Sequence, residues 1–153
     1  MADVHSRLAE LGLTLPPVAT PAGSYVPAVR SGNYVYVSGQ VPFGDDGALL
    51  ATGKVGAEVT PERARELAAR CALNALAAID GLVGLGAVVK VVKVTGFVAS
   101  APGFNGQPAV INGASDLFGD VFGEAGRHAR SAVGVAELPL NAPVEVEVIV
   151  EVA

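Results

Sequence analysis

The sequence predicts an α+β domain, a mixed β-sheet with two helices packed on one face. Three observations lead there. Strand-like runs occur at 24–42, 87–100 and 128–152. A strongly capped helix begins at Thr60, and a second helix, rich in small residues, fills 109–123. Helices placed between the strand runs give the order β-β-(β)-α-β-α-β-β, which closes one layer of helices over one sheet. The other face of that sheet is left bare, and a neighbouring subunit is expected to cover it.

The elements follow in order. "DVHSRLAELG" (3–12) reads as a short amphipathic helix with Val4, Leu8 and Leu11 on one side and Gly12 as its stop. "LPPVATPAG" (15–23) is an extended arm, so the domain proper is placed at 24–153, with 1–23 as an N-terminal helix and arm. "SYVPAVRSGNYVYVSGQVP" (24–42) gives two strands around "SGN", and Pro27 confines the first to an edge or an irregular start. The stretch 43–59 is turn-rich with one short strand expected. Thr60 as N-cap, Pro61 at the first helical position and Glu62 in the first turn start a helix that runs to Asp80, with Gly81 able to stop it. Residues 87–100 form a largely buried strand, and "APGFNGQP" before the second helix is a loop.

In the closing stretch, 128–152, Val144, Val146, Val148, Val150 and Val152 share one strand face, and Glu145, Glu147, Ile149 and Glu151 share the other. "LPLNAP" (138–143) reads as the turn of an antiparallel hairpin. Placing all the valines on one core sets Arg130 and the glutamates together on the opposite face, beside the nearly bare Ala132, Gly134 and Ala136. In that register Arg130 lies opposite roughly residues 149–151, about 15–20 Å from Glu145. The two could then share a pocket only across subunits.

Composition excludes several classes. The 153 residues suit one domain, and 51% hydrophobic content supports a sizeable core. No apolar run approaches the roughly 20 residues of a membrane span, and no secretory signal is read at the N-terminus. Cys71 is the single cysteine, so no internal disulfide forms, and no Cys/His cluster has metal-ligand spacing. A cytoplasmic chain is expected. The net charge of −5, scattered basic residues and absence of Trp favour small-molecule partners over nucleic acid. Mean hydropathy is +0.48, consistent with further burial between subunits.

Arg130 is the leading candidate for chemistry. Its planar fork can hold a carboxylate through two parallel hydrogen bonds, or it can serve as half of a structural salt bridge. Glu145 and Glu147, about 7 Å apart on one strand face, fit a general acid or base with a raised pKa, or two solvated glutamates. Tyr25 and Asn112 are lesser candidates, read first as packing and as a local polar contact. His5 and His128 have no Cys or Asp companion at useful spacing; His128, two residues from Arg130, could line a pocket, but surface placement is preferred for both. Cys71 falls on the inner face of its helix as packing. "GLVGLGAV" (81–88) is not a phosphate loop, because the Lys-Ser/Thr end is missing and the run leads into a strand.

"ARSAVGVAELP" followed by "VEVEVIV" resembles the closing signature of the reactive intermediate deaminase (YjgF) family. "SYVPAVRSGNYVYVSGQVP" resembles that family's opening hairpin, and "AVINGASDLF" its second helix, with Asn112 at the family's asparagine. The resemblance runs from about Tyr25 to Val150. It implies a chorismate-mutase-like fold assembled as a homotrimer with clefts between subunits. It also implies cofactor-free hydrolysis of enamine or imine intermediates such as 2-aminoacrylate to 2-keto acids and ammonia. Carried over, Arg130 would hold the substrate carboxylate and Glu145 would position or activate water. Tyr25 and Asn112 would line the cleft, with Ser38 and Gly39 in its wall. Ala132 stands where the family often has cysteine and makes the cleft less polar. "GRHARS" replaces a stretch where proline is common. The other functions compatible with this pattern are a non-catalytic trimeric binder of small carboxylates and, after the family's older name, an endoribonuclease.

Overall fold

A computed structural model of the chain describes residues 3–153. Helix α1 (Val4–Glu10) starts where the Asp3 carboxylate accepts from Ser6 N, and Leu8 is its buried anchor. After the extended arm come β1 (Ala28–Ser31) and β2 (Tyr34–Gln40), an antiparallel hairpin in which Ser31 pairs with Tyr34. Gly32, at φ 59°, supplies the left-handed position that this tight turn requires. Pro27 precedes β1, which is an edge strand as expected. The short strand expected within 43–59 is not formed. That segment makes isolated bridges only, Phe43 with Leu49 and Val55 with Val59 and Ser100.

Helix α2 (Pro61–Val83) begins as the sequence predicts, with Thr60 Oγ1 accepting from Arg63 N at 3.1 Å. It does not stop at Gly81. It continues to Gly84, whose φ of 81° leaves the helix while its N–H still bonds Asp80 O. β3 (Val88–Ala99) follows, then α3 (Gln107–Phe122), which starts two residues before the expected Ala109. β4 (Ala129–Val135) and β5 (Val144–Val152) complete the chain.

The sheet order is β1-β2-β5-β3-β4. This corrects the expected closing hairpin, because β4 and β5 are not neighbours. β5 is antiparallel to both β2 and β3, while β4 lies at the far edge, parallel to β3. Parallel neighbours need a long crossover, and α3 provides it. Residues 138–143 are a wide bend rather than a two-strand turn. Leu140 and Asn141 take φ of 61° and 58° there, and Asn141 O accepts from Gly53 N, so the chain is carried past β3.

The valine face of β5 is buried as predicted, against Val35 and Val37 of β2 and Val91, Val94 and Val98 of β3. Helices α2 and α3 cover that face, with Leu67, Cys71, Leu76, Ile79, Ile111 and Phe118 among the residues that close the core. Each such side chain contributes about 1.5–3 kcal/mol relative to an exposed one. The helices meet closely at Gly113, where an added Cβ would lie 2.9 Å from the Arg65 carbonyl carbon. The opposite face is uncovered in the single chain. Val29, Tyr34, Tyr36 and Val133 stand exposed on it.

Candidate functional site

Arg130 lies level with Val94 on β3, and Val94 with Val148 on β5. Residues in register share a face, so Arg130 points toward the helices, not toward the glutamates. Both the expected shared face and the expected alignment with residues 149–151 are therefore corrected. The side chain confirms the direction. Arg130 Nη1 donates to Asn112 Oδ1 at 2.8 Å and to Ser115 Oγ at 3.3 Å, both on α3. Among the described residues Arg130 makes no ion pair, so the structural salt bridge is not formed.

The small residues beside Arg130 have a packing cause. Ala132 pairs with Gly96, and a Cβ on Gly96 would meet Ile111 Cγ2 at 2.6 Å. The helix lies so low over this end of the sheet that the row must be small. Further along, a Cβ on Gly134 would meet Gln107 Nε2 at 2.7 Å. His128 is not at the surface as expected. It is half-buried, edge-on to Phe118 with centroids 6.0 Å apart, and its Nε2 is 2.9 Å from Ser115 Oγ.

Glu145 occupies a second, separate place. It is half-buried on the uncovered face, and its side chain lies directly over Gly39. Burial pushes its carboxyl pKa up, and the Glu147 carboxylate on the same face pushes it further. Glu147 itself is exposed. The β2 pairing slips between Val37 and Gln40, a bulge that re-aims Ser38 and Gly39. Ser38 Oγ donates to Val26 O at 2.6 Å, and Gln40 Nε2 donates to Ser38 O at 3.1 Å, which fixes the bulge. Tyr25, Pro27, Gly39, Gln40, Phe43 and Glu145 line a cleft of about 240 Å³. The Tyr25 hydroxyl accepts from Ala22 N at 3.2 Å.

The predicted residues thus fall into two groups. Arg130, Asn112 and Ala132 sit between β4 and α3. Tyr25, Ser38, Gly39 and Glu145 sit by the bulge of β2. Glu145 is level with Phe97 and Val133, three residues along from the Arg130 row and on the other face of the sheet. One chain does not join the two groups. A wider cavity of about 640 Å³ lies between α1, the start of β3 and the end of α3, and contains none of these residues. No group of three or more His, Cys, Asp or Glu among the described residues could hold a metal ion. No described helix is long and apolar enough to cross a membrane.

Ser115 is the residue that the sequence reading missed, and His128 is one that it weighed as a pocket residue and set at the surface. Ser115 is three positions after Asn112, one turn along the same helix face, and His128 is two before Arg130 on a strand. Those two spacings were the available signal.

A five-stranded mixed sheet with two helices on one face, and an arginine presented from its edge strand, defines the class. The family described as endoribonuclease L-PSP matches residues 17–152, and the chain belongs to that family, the YjgF or reactive intermediate deaminase family. The chain is 47% identical over 150 residues to Protein TCP17 of Trypanosoma cruzi, covering 97% of this chain and 93% of that one. It is 35% identical over 139 residues to a 2-iminobutanoate/2-iminopropanoate deaminase of Dermatophagoides farinae, covering 90% and 93%. A crystal structure of a protein with unknown function from Agrobacterium tumefaciens superposes with a TM-score of 0.90 at 48% identity, covering 98% of this chain and 92% of the other.

Proposed function

We propose that the chain hydrolyses small reactive 2-imino acids, and their enamine tautomers such as 2-aminoacrylate, to 2-keto acids and ammonia. The cleft is completed by a neighbouring copy in a homotrimer with a chorismate-mutase-like arrangement. The observation that carries the reading is Arg130. It is a guanidinium held through one terminal nitrogen by Asn112 and Ser115, without a carboxylate of its own. The edge formed by Nε and Nη2 is then available to a substrate carboxylate, in the two-bond geometry that arginine favours. The mite relative named as an imine deaminase supports the same chemistry at family level.

In this reading the carboxylate on Arg130 fixes the planar imine, and Glu145 of a neighbouring copy faces its C2. Water adds to C2 while Glu145 takes a proton from it and returns the proton to nitrogen, which leaves a carbinolamine. Glu145 then moves the remaining hydroxyl proton to the amino nitrogen as the C–N bond breaks and the C=O bond forms, and ammonia leaves. Imine plus water gives ketone plus ammonia, a balance that needs no electron acceptor. A carboxyl pKa raised by burial brings Glu145 closer to the range where it can both accept and release a proton. Alignment of water and imine supplies much of the acceleration.

An imine-trapping assay tests this. An amino-acid oxidase generates 2-imino acids in the presence of semicarbazide, and wild type is compared with Arg130→Ala and Glu145→Gln. Wild type should suppress semicarbazone formation and both variants should not. If wild type leaves the semicarbazone yield unchanged across several side chains, deamination of common imines is wrong and carboxylate binding alone is left.

A further inference from the structure

We propose that Ser115 and His128 form a one-way hydrogen-bond relay that sets the orientation of the Arg130 guanidinium, making both positioning residues for the substrate carboxylate. The proposal rests on the reading that Arg130 binds that carboxylate.

The direction follows from donor accounting. His128 Nδ1 lies 2.6 Å from Gly126 O. A carbonyl oxygen only accepts, so Nδ1 carries a hydrogen. In the neutral ring Nε2 is then an acceptor, and the group 2.9 Å away is the Ser115 hydroxyl, which donates to it. Ser115 has one hydrogen, now committed to His128. Its lone pairs are left for Arg130 Nη1 at 3.3 Å. The same nitrogen donates to Asn112 Oδ1 at 2.8 Å, so both of its hydrogens are engaged. Fixing both fixes the plane of the guanidinium, and with it the direction of the Nε–Nη2 edge.

Each link is supported from behind. Phe118 stands edge-on to the His128 ring, and Phe118 is fully buried. Gly126 is held against α3, where a Cβ on it would lie 2.8 Å from the Phe118 carbonyl carbon. The chain of partners therefore runs from a rigid helix turn, through the imidazole and the hydroxyl, to the arginine. Without the imidazole the Ser115 hydroxyl is free to turn, and its lone pairs are no longer aimed at Nη1. Asn112 alone leaves the guanidinium one pivot about which to swing.

The test is calorimetric titration of 2-oxobutanoate, a 2-keto acid of the product class, into the full chain. Ser115→Ala and His128→Leu should each weaken binding by about tenfold, the scale of one lost hydrogen bond to a charged group. Ser115→Thr and His128→Gln, which keep the hydroxyl and an acceptor near the Nε2 position, should restore it. Nitrogen NMR of wild type should show the hydrogen on Nδ1 and a bare Nε2. The opposite tautomer overturns the relay whether or not any variant folds. Arg130→Ala separates the two ideas. If it abolishes binding while Ser115→Ala and His128→Leu bind like wild type, the relay is wrong and the carboxylate reading stands. If Arg130→Ala itself binds like wild type, the carboxylate reading falls. Failure of Thr and Gln to rescue reduces the two residues to packing and overturns the proposal.

Discussion

An alanine at position 39 would set a methyl group against the carboxyl end of Glu145. The Glu145 carboxyl carbon stands 2.8 Å and its Cγ 3.2 Å from the place of that methyl carbon, where ordinary contact begins at 3.4 Å. The carboxyl carbon must therefore retreat by at least 0.6 Å, the difference between 3.4 and 2.8. Gly39 has no left-handed φ, so alanine brings no backbone strain. The cost in stability is that of shifting the end of one half-exposed, flexible side chain, about 1 kcal/mol, the low end for an inserted methyl. The cost to catalysis is larger, because a misplacement near 1 Å in a reacting group lowers rates by about a hundredfold. At 0.6 Å, Gly39→Ala should reduce imine turnover by about ten- to a hundredfold, with the 2-keto acid still bound at the Arg130 group. The assay is semicarbazide trapping alongside thermal unfolding. A folded Gly39→Ala protein with wild-type turnover refutes the placement of Glu145 in the reaction.

Other consequences are checked more simply. Arg130→Ala should fold normally, because it removes a half-buried side chain with no ion pair, and should lose 2-oxobutanoate binding in the same titration. Gly113→Ala should lower stability by about 1–3 kcal/mol or more, since the obstruction is the Arg65 backbone rather than a movable side chain; denaturant unfolding reads it. The raised Glu145 pKa has a definite sign. The folded chain holds that proton to a higher pH than the unfolded chain, so this group's contribution to stability is full in acid and is lost as pH rises through the folded value. Glu145→Gln should remove that slope and gain on wild type between acid and neutral pH, measured as unfolding midpoint against pH. An equal slope in both proteins refutes it.

Elements with chemical punctuation were legible in the sequence. α2 starts at its Thr-Pro-Glu signal, and β1 and β2 turn at Gly32, because those residues act locally. Gly81 misled because a glycine does not by itself end a helix; the stop is Gly84, which leaves the helix at a φ of 81°. The pairing of β4 was illegible for a different reason. Proline and asparagine in 138–143 mark a bend, but nothing local records that β3 will lie between the strands that the bend connects. That error turned Arg130 to the wrong face. Its small neighbours were read as a floor prepared for a partner, whereas Ala132 and Gly96 are small because Ile111 presses on that row. Arg130, Glu145 and Asn112 were candidates from the residues themselves and Gly39 from the motif resemblance, while their separation into two groups came only from strand order.

The place of β5 in that order also bears on synthesis. β5 is the last of the five strands to be made, yet it lies in the middle, pairing with β2 on one side and β3 on the other. Until it emerges, β1 and β2 are one isolated ribbon, and β3, α3 and β4 are another unit with no strand between them. Neither has an inner face covered on both sides. From the end of β3 at Ala99 until β5 begins at Val144, two apolar edges exist with no strand between them, and the core condenses only when the valines of β5 arrive. Shortening the chain by a few residues within β5 would therefore be felt at the centre of the fold rather than at a dispensable tail.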